Sequence, residues 1–224
     1  MRRTPAVSQQ DAHADPDSST GQAAAGARRR RSSRAHAAIL RAAVELLEKD
    51  GYGALTMEAI AARAGASKAT LYRWWPSKAA VVLEAYGAET ARRIPPVDTG
   101  TLHGDLREFL RRLFASLALP GAAPTVRGLI AEAQIDPEFA TAFRIDFMAG
   151  RRAAVRMLFE RAIVRGELPP SVDLDYALDA FYGPVWYRLL LGHAPLDVAF
   201  LDQHAHGLMA LFSRRTEAAP RRER

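Results

Sequence analysis

Cysteine is absent from this 224-residue chain. That excludes disulfide frameworks, thiolate zinc sites and cysteine nucleophiles, and it fits a reducing compartment. Long apolar runs are absent as well, since nothing approaches the roughly 18 uninterrupted apolar residues of a membrane span. The opening stretch MRRTPAVSQQDAHADPDSST carries early arginines but no apolar core of a secretory signal. A cytoplasmic protein with no membrane partner is expected. Catalytic signatures are missing too: there is no Gly-x-Ser-x-Gly and no His-Glu-x-x-His. Gly51 and Gly53 are not followed by a third glycine at the dinucleotide spacing. His204 and His206 stand two apart on an expected helix, so they diverge and make poor joint ligands. No enzyme, metal or cofactor is expected.

What is present begins with enough apolar residues, 49% of the chain, for one generous domain or two small ones. The net charge of +6 is unevenly placed. Residues 1–93 hold 15 Lys and Arg against 9 Asp and Glu; residues 94–213 hold 11 against 14; the last eleven residues hold 5 against 2. A positive field at one end suits a polyanion-binding module joined to a near-neutral body.

Apolar periodicity and punctuation divide the chain. Residues 1–31 are polar, lack periodicity and end in the run Arg28 to Arg31, which reads as a disordered arm. From Ser33 a helix is expected, with Ile39, Ala43, Leu46 and Leu47 on one stripe and Gly51 as its stop. Thr56 reads as the N-cap of a short helix, 57–64, with Gly65 ending it. Ser67 caps a second short helix to about Trp74, which Pro76 terminates, and Ser77 opens the next helix toward Arg93. Longer helices are expected at 102–119, 124–135, 138–166, 174–192 and 197–214, separated by proline or glycine breaks. No segment alternates as a strand does, so the expected fold is all-α. It has a domain of short helices at 32–92, a body at 93–214 and a basic tail at 215–224.

Two short helices joined by a tight glycine-containing turn and preceded by a longer helix make a helix-turn-helix, whose second helix enters the DNA major groove. Ala59, Ala61, Ala62 and Ala69 are small enough for such short helices to approach closely. The stretch GYGALTMEAIAARAGASKATLYRWWPSKAAVVLEAY, Gly51 to Tyr86, resembles the DNA-binding domain of the tetracycline-repressor (TetR) family of bacterial transcriptional regulators. The features that carry the resemblance are Gly-Tyr-Gly followed by Thr56, the pair Ile60-Ala61, Gly65-x-Ser67, Thr70-Leu71-Tyr72, and Trp75 followed by Pro76-Ser77-Lys78. It covers about 60 residues. Beyond them the long helices are similar in architecture to the family's ligand-binding and dimerisation region.

The resemblance assigns roles. Trp75 stands where the family buries a phenylalanine among three helices, and Trp74 where it places a residue on the DNA backbone. Thr56, Tyr72 and Lys78 are implied as phosphate contacts. Ser67, Lys68, Ala69 and Thr70 stand at the entry of the recognition helix, where base edges are read. Arg73 and Arg34 are further DNA contacts in this reading. Lys78 is expected at a helix terminus whose free N–H groups already favour anions.

The expected function is a regulator, a repressor in this reading, that binds a palindromic operator as a homodimer and is released by a small hydrophobic organic effector. Leu174, Leu178, Phe181, Val185, Leu189, Leu201, Leu208, Leu211 and Phe212 are expected to pair across the two-fold axis. Phe109, Phe143, Phe147, Tyr182 and Trp186 are candidate walls of an effector cavity, with Arg144 or Asp146 as further polar handles. Gly183-Pro184 is expected to kink its helix. Two alternatives stay open: a DNA-binding protein with no effector, and a small helical enzyme on an adapted fold.

Overall fold

The computed structural model describes the backbone of residues 17–213 and the side chains of residues 32–212. Residues 1–16 of the expected arm and the basic tail at 215–224 lie outside the described residues. The chain divides into two compact units, residues 1–38 and 39–224. The described part of the first unit is helical backbone, the beginning of α1 (Asp17–Ala54). Residues 17–31, expected to be unstructured, are therefore helical. Low hydropathy argued for disorder, but this stretch is dominated by alanine and arginine, which are among the strongest helix formers.

In the second unit, α1 buries Ile39, Ala43 and Leu47. It breaks at Gly51, whose φ of 75° and ψ of 169° lie outside the helical region. Then come α2 (Met57–Ala64), α3 (Lys68–Trp74) and α4 (Lys78–Arg93). The turn between α2 and α3 is set by Gly65, at φ 63° and ψ 30°, whose N–H reaches back to the carbonyls of Ala61 and Ala62. A left-handed residue here favours glycine because it has no Cβ. Ile39, Ile60, Leu71 and Trp75 close the core between these helices. Burying such an aliphatic side chain contributes about 1.5–3 kcal/mol, which short helices need because isolated turns do not persist.

The body continues as α5 (Leu102–Leu117), α6 (Ala122–Ile135), α7 (Pro137–Ala142), a π-helical segment (Phe143–Met148), α8 (Ala149–Val164), α9 (Leu174–Leu191) and α10 (Val198–Ser213). The described residues are helical with no strand, as expected. The helix expected over 138–166 is thus interrupted by a wider π turn. Pro184 sits inside α9 without ending it. Among the described residues no single helix is long and apolar enough to cross a membrane.

The boundary expected at 92/93 marks a change of sequence character, not a gap in packing. Tyr86 and Thr90 of α4 are buried, and Gly121 meets the end of α1 so closely that a Cβ there would stand 2.2 Å from the Leu47 carbonyl oxygen. The body also contains a fully buried carboxylate, Asp105, which accepts hydrogen bonds from the N–H and hydroxyl of Thr99 and is approached by Arg161 and Arg165.

One expectation about α9 and α10 is overturned. Leu178, Phe181, Val185, Leu189, Leu201, Leu208 and Phe212 are buried inside one chain, and only Leu211 of the expected interface set is exposed, with Leu174 half-buried. The body needs them: Phe181 packs edge-to-face on Phe109, and Phe212 on Phe159. Counting apolar positions on two helices underestimated how much of the body they must cover.

Candidate nucleic-acid interface

Three successive caps build the helix-turn-helix. Thr56 Oγ1 accepts from Ala59 N–H at 3.1 Å, Ser67 Oγ from Thr70 N–H at 3.1 Å, and Ser77 Oγ from Ala80 N–H at 3.3 Å. Each satisfies a donor that the first turn leaves without an intrahelical partner, worth about 0.5–2 kcal/mol relative to alanine. The caps set where α2, α3 and α4 begin, and so which side chains project from α3. Ser67, Lys68, Ala69, Tyr72 and Arg73 are exposed along it; Thr70 is half-buried, its hydroxyl 2.9 Å from that of Ser67. Tyr72 is half exposed at 49% while its neighbour Leu71 is fully buried, so the phenol is presented outward. Arg34 is exposed in the other compact unit.

Lys68 does not stand alone. Its ammonium pairs with Glu58 of α2 at 2.9 Å, which holds the Glu58 carboxyl below and the Lys68 ammonium above their usual ranges. Both side chains are well exposed, so water competes for the pair. Arg63 of α2 pairs with Glu45 of α1 at 2.6 Å. These pairs bracket α2 without using the exposed side chains of Tyr72 or Arg73.

Lys78 departs from expectation. Its Nζ donates to the carbonyls of Tyr52 and Leu55, both at 3.2 Å, and lies 4.7 Å from the centre of the Tyr52 ring. It therefore joins the start of α4 to the chain between α1 and α2. The break at Gly51 leaves these carbonyls without helical partners, and the half-buried Lys78 ammonium supplies a donor to both. Lys78 is a staple in this structure, where a cation directed at phosphate was expected.

Trp75 is buried as expected, and its Nε1 donates to Glu84 of α4 at 2.8 Å, a contact that sequence reading missed. Trp74 was expected on the DNA backbone. It is half-buried, set edge-to-face on Trp75 at 5.5 Å and 86°, with the Arg73 guanidinium 5.2 Å above its ring. Together the two indoles line a recess whose opposite wall includes Phe139 and Ala142 of α7. Trp75 has already left the helical conformation, at φ −134° and ψ 121°. That turn lets two consecutive rings bury their faces, which a continuing helix forbids.

A second feature lies in the body. A partly open cavity of about 200 Å³ is lined by Gly87, Thr90 and Ala91 of α4 and its C-cap Ile94, Phe109 of α5, Asp146 and Phe147 of the π segment, and Gly150, Arg151 and Ala154 of α8. Phe109 and Phe147 were expected here. Phe143 is buried beside Phe147, stacked at 5.1 Å, but outside the lining. Tyr182 and Trp186 stack on one another at 6.2 Å, also outside it, and the Tyr182 hydroxyl donates to the backbone carbonyl of Arg151 at 2.9 Å. Of the expected polar handles, Asp146 lines the cavity, whereas Arg144 is exposed and donates to Thr141. Thr90 and Arg151 were missed, because nothing in their spacing separates them from other helix residues. The π segment is what brings Asp146 and Phe147 onto α4. Such wide turns are frequent where function needs an irregular helix.

Comparison with known proteins agrees with this arrangement. Residues 39–85 match the model of bacterial regulatory proteins of the tetR family, and residues 96–208 that of the tetracyclin repressor-like C-terminal domain. The chain is 37% identical over 156 residues to the uncharacterized HTH-type transcriptional regulator YdeS of Bacillus subtilis, covering 70% of this chain and 78% of the relative. It is 36% identical over 172 residues to the DNA-binding transcriptional repressor TetR of Mycobacteroides abscessus, covering 75% and 87%. The crystal structure of the TetR family transcription regulator SCO0332 superimposes with a TM-score of 0.72 at 33% identity, covering 83% of this chain and 99% of that one. The capped helix-turn-helix, the all-helical body behind it and these matches together place the chain in the TetR family of DNA-binding transcriptional regulators.

Proposed function

We propose that this regulator represses from a palindromic operator as a cytoplasmic homodimer with no catalytic role, and that a small molecule in the α4-lined cavity releases it. The observation that carries the release is the position of α4. Its last turns and C-cap supply Thr90, Ala91 and Ile94 to the cavity wall. Its first two turns are tied to the helix-turn-helix through the Lys78 bonds to the Tyr52 and Leu55 carbonyls and the Trp75–Glu84 hydrogen bond. A ligand that moves this wall shifts the recognition helix, and differential affinity of about 1–3 kcal/mol between two forms suffices for regulation.

Base contacts come from α3 through Ser67, Lys68, Ala69 and Thr70, and phosphate contacts from Thr56, Tyr72 and Arg73. Arg34 adds a further DNA contact from the other compact unit. One recognition helix per chain is short for a specific site, so a two-fold dimer presents two, with half-site centres about 34–36 Å apart. For that dimer the exposed stripe Tyr176, Gly183, Tyr187 and Leu191 of α9 replaces the buried residues expected earlier. Their spacing of seven, four and four residues puts them on one face of the helix.

Selection of bound genomic fragments followed by footprinting tests the operator. Two symmetric protected half-sites are expected, and a single asymmetric one contradicts the dimer. Tyr187→Glu with Leu191→Glu should produce folded monomers with weak operator binding; a retained dimer moves the interface elsewhere. An effector should bind less tightly when operator is present, by reciprocity. Equal affinity with and without operator in calorimetry at fixed salt removes the release mechanism and leaves DNA binding intact.

A further inference from the structure

We propose that the cavity takes a compact organic monocarboxylate, with the Arg151 guanidinium as its charge partner. The inference rests on reading this cavity as the effector site and adds the ligand's chemical class.

The other described arginines of the body have polar partners. Arg107 pairs with Asp202, Arg152 with Asp179 and Arg165 with Asp105, while Arg127 and Arg188 donate to the carbonyls of Leu189 and Pro195. Arg151 differs. Among the described residues its guanidinium meets no carboxylate or carbonyl, and its close neighbour is the face of the Phe147 ring at 4.1 Å. Loss of hydration holds it below the ordinary arginine range. A cation in such a place lacks what arginine recognises best, a planar anion accepting two parallel hydrogen bonds.

The remaining walls define the rest of the ligand. Ile94, Phe109, Phe147 and Ala154 are apolar and suit a hydrocarbon or aromatic body. The Thr90 hydroxyl already donates to the Tyr86 carbonyl at 2.5 Å, so it does not supply a second donor. Asp146 lines the same cavity and repels a dianion more strongly than a monoanion, which favours a carboxylate over a phosphate dianion. The volume of about 200 Å³ is small beside ordinary drug-sized sites. It fits a phenylacetate-sized acid.

The test is calorimetry on the full chain with matched pairs: benzoate and benzamide, phenylacetate and phenylacetamide, hexanoate and hexanamide, with phenyl phosphate beside them. At least one acid should bind about 10- to 100-fold more tightly than its amide, the range of a charge-assisted hydrogen bond. Arg151→Gln should bring the acid down to the amide's level, and Arg151→Lys should keep part of the preference. The proposal is overturned if no acid binds at millimolar concentration, if amide equals acid, if phenyl phosphate binds best, or if Arg151→Gln keeps the preference. The acid–amide comparison is made on the unaltered chain and holds even if the variants are destabilised. Acids that bind through Arg151 yet leave operator affinity unchanged support the site and remove the effector reading. An amide that releases operator while its acid does not removes the carboxylate proposal and keeps the effector.

Discussion

The helix-turn-helix and the cavity are both functional surfaces, but they are built in opposite ways. In the helix-turn-helix, residues 56 to 78 supply the caps, the turn and the outward side chains, and each depends on neighbours three or four positions away. In the cavity, residues from 87 to 154 meet across α4, α5, the π segment and α8. Charge follows the same division. On α3 the polar side chains are exposed and Lys68 is paired in water; in the cavity Arg151 is largely withdrawn from water and unpaired among the described residues. A surface for a large polyanion keeps its cations solvated and mobile. A site for a small molecule holds its charge partner in place.

The strongest challenge to treating the two surfaces as parts of one fold is Phe212→Ala, which removes a fully buried ring from the body. It should lower stability by about 3–5 kcal/mol, and because the core is shared with α4 the loss should appear as one transition in thermal melts followed by tryptophan emission, Trp74 and Trp75 reporting on the helix-turn-helix and Trp186 on the body. Two separated transitions would divide the regions after all.

Lys78→Met comes next and tests the staple directly. Leaving the Tyr52 and Leu55 carbonyls without this donor should cost about 1–3 kcal/mol and weaken operator binding, with little change in the salt dependence of affinity. A fall in the salt slope by about one would return Lys78 to the phosphate contacts.

A smaller effect sharpens the contrast on the exposed side. Glu58→Gln removes the partner of Lys68 and should strengthen DNA binding at low salt while steepening its salt dependence. Unchanged affinity across a salt titration would mean that Lys68 does not reach DNA.

The smallest effect concerns His204, whose Nε2 donates to the Phe181 carbonyl at 2.9 Å. Burial holds its imidazole below the ordinary value of 6.5. The unfolded chain therefore takes up the proton more readily, so stability is full above about pH 6.5 and declines as pH falls through the lower folded value. Melting temperatures between pH 8 and 5 should fall less steeply in His204→Gln than in the parent chain. Equal slopes would assign the acid sensitivity to other groups.

Much of the DNA-binding half was legible from residues alone. Thr56, Ser67 and Ser77 cap as their positions imply, Gly65 adopts the left-handed turn, and Trp75 enters the core. Reading was incomplete where a side chain's partner lies far along the chain. The carbonyls that hold Lys78 are 26 and 23 residues away, and the recess beside Trp74 is walled by residues of α7. In the body, periodicity located the helices but not which apolar stripe faces inward, so buried residues of α9 and α10 were taken for an interface.

The sequence by itself determined the helices, their ends and the helix-turn-helix, because capping, glycine turns and proline stops act over a few residues. Tertiary structure decided which charges are free and which are held. It turned Lys78 onto backbone carbonyls, joined Trp75 to Glu84 and left Arg151 against Phe147 in a cavity. Burial and ion pairing depend on which distant side chains meet, and local spacing carries no record of that.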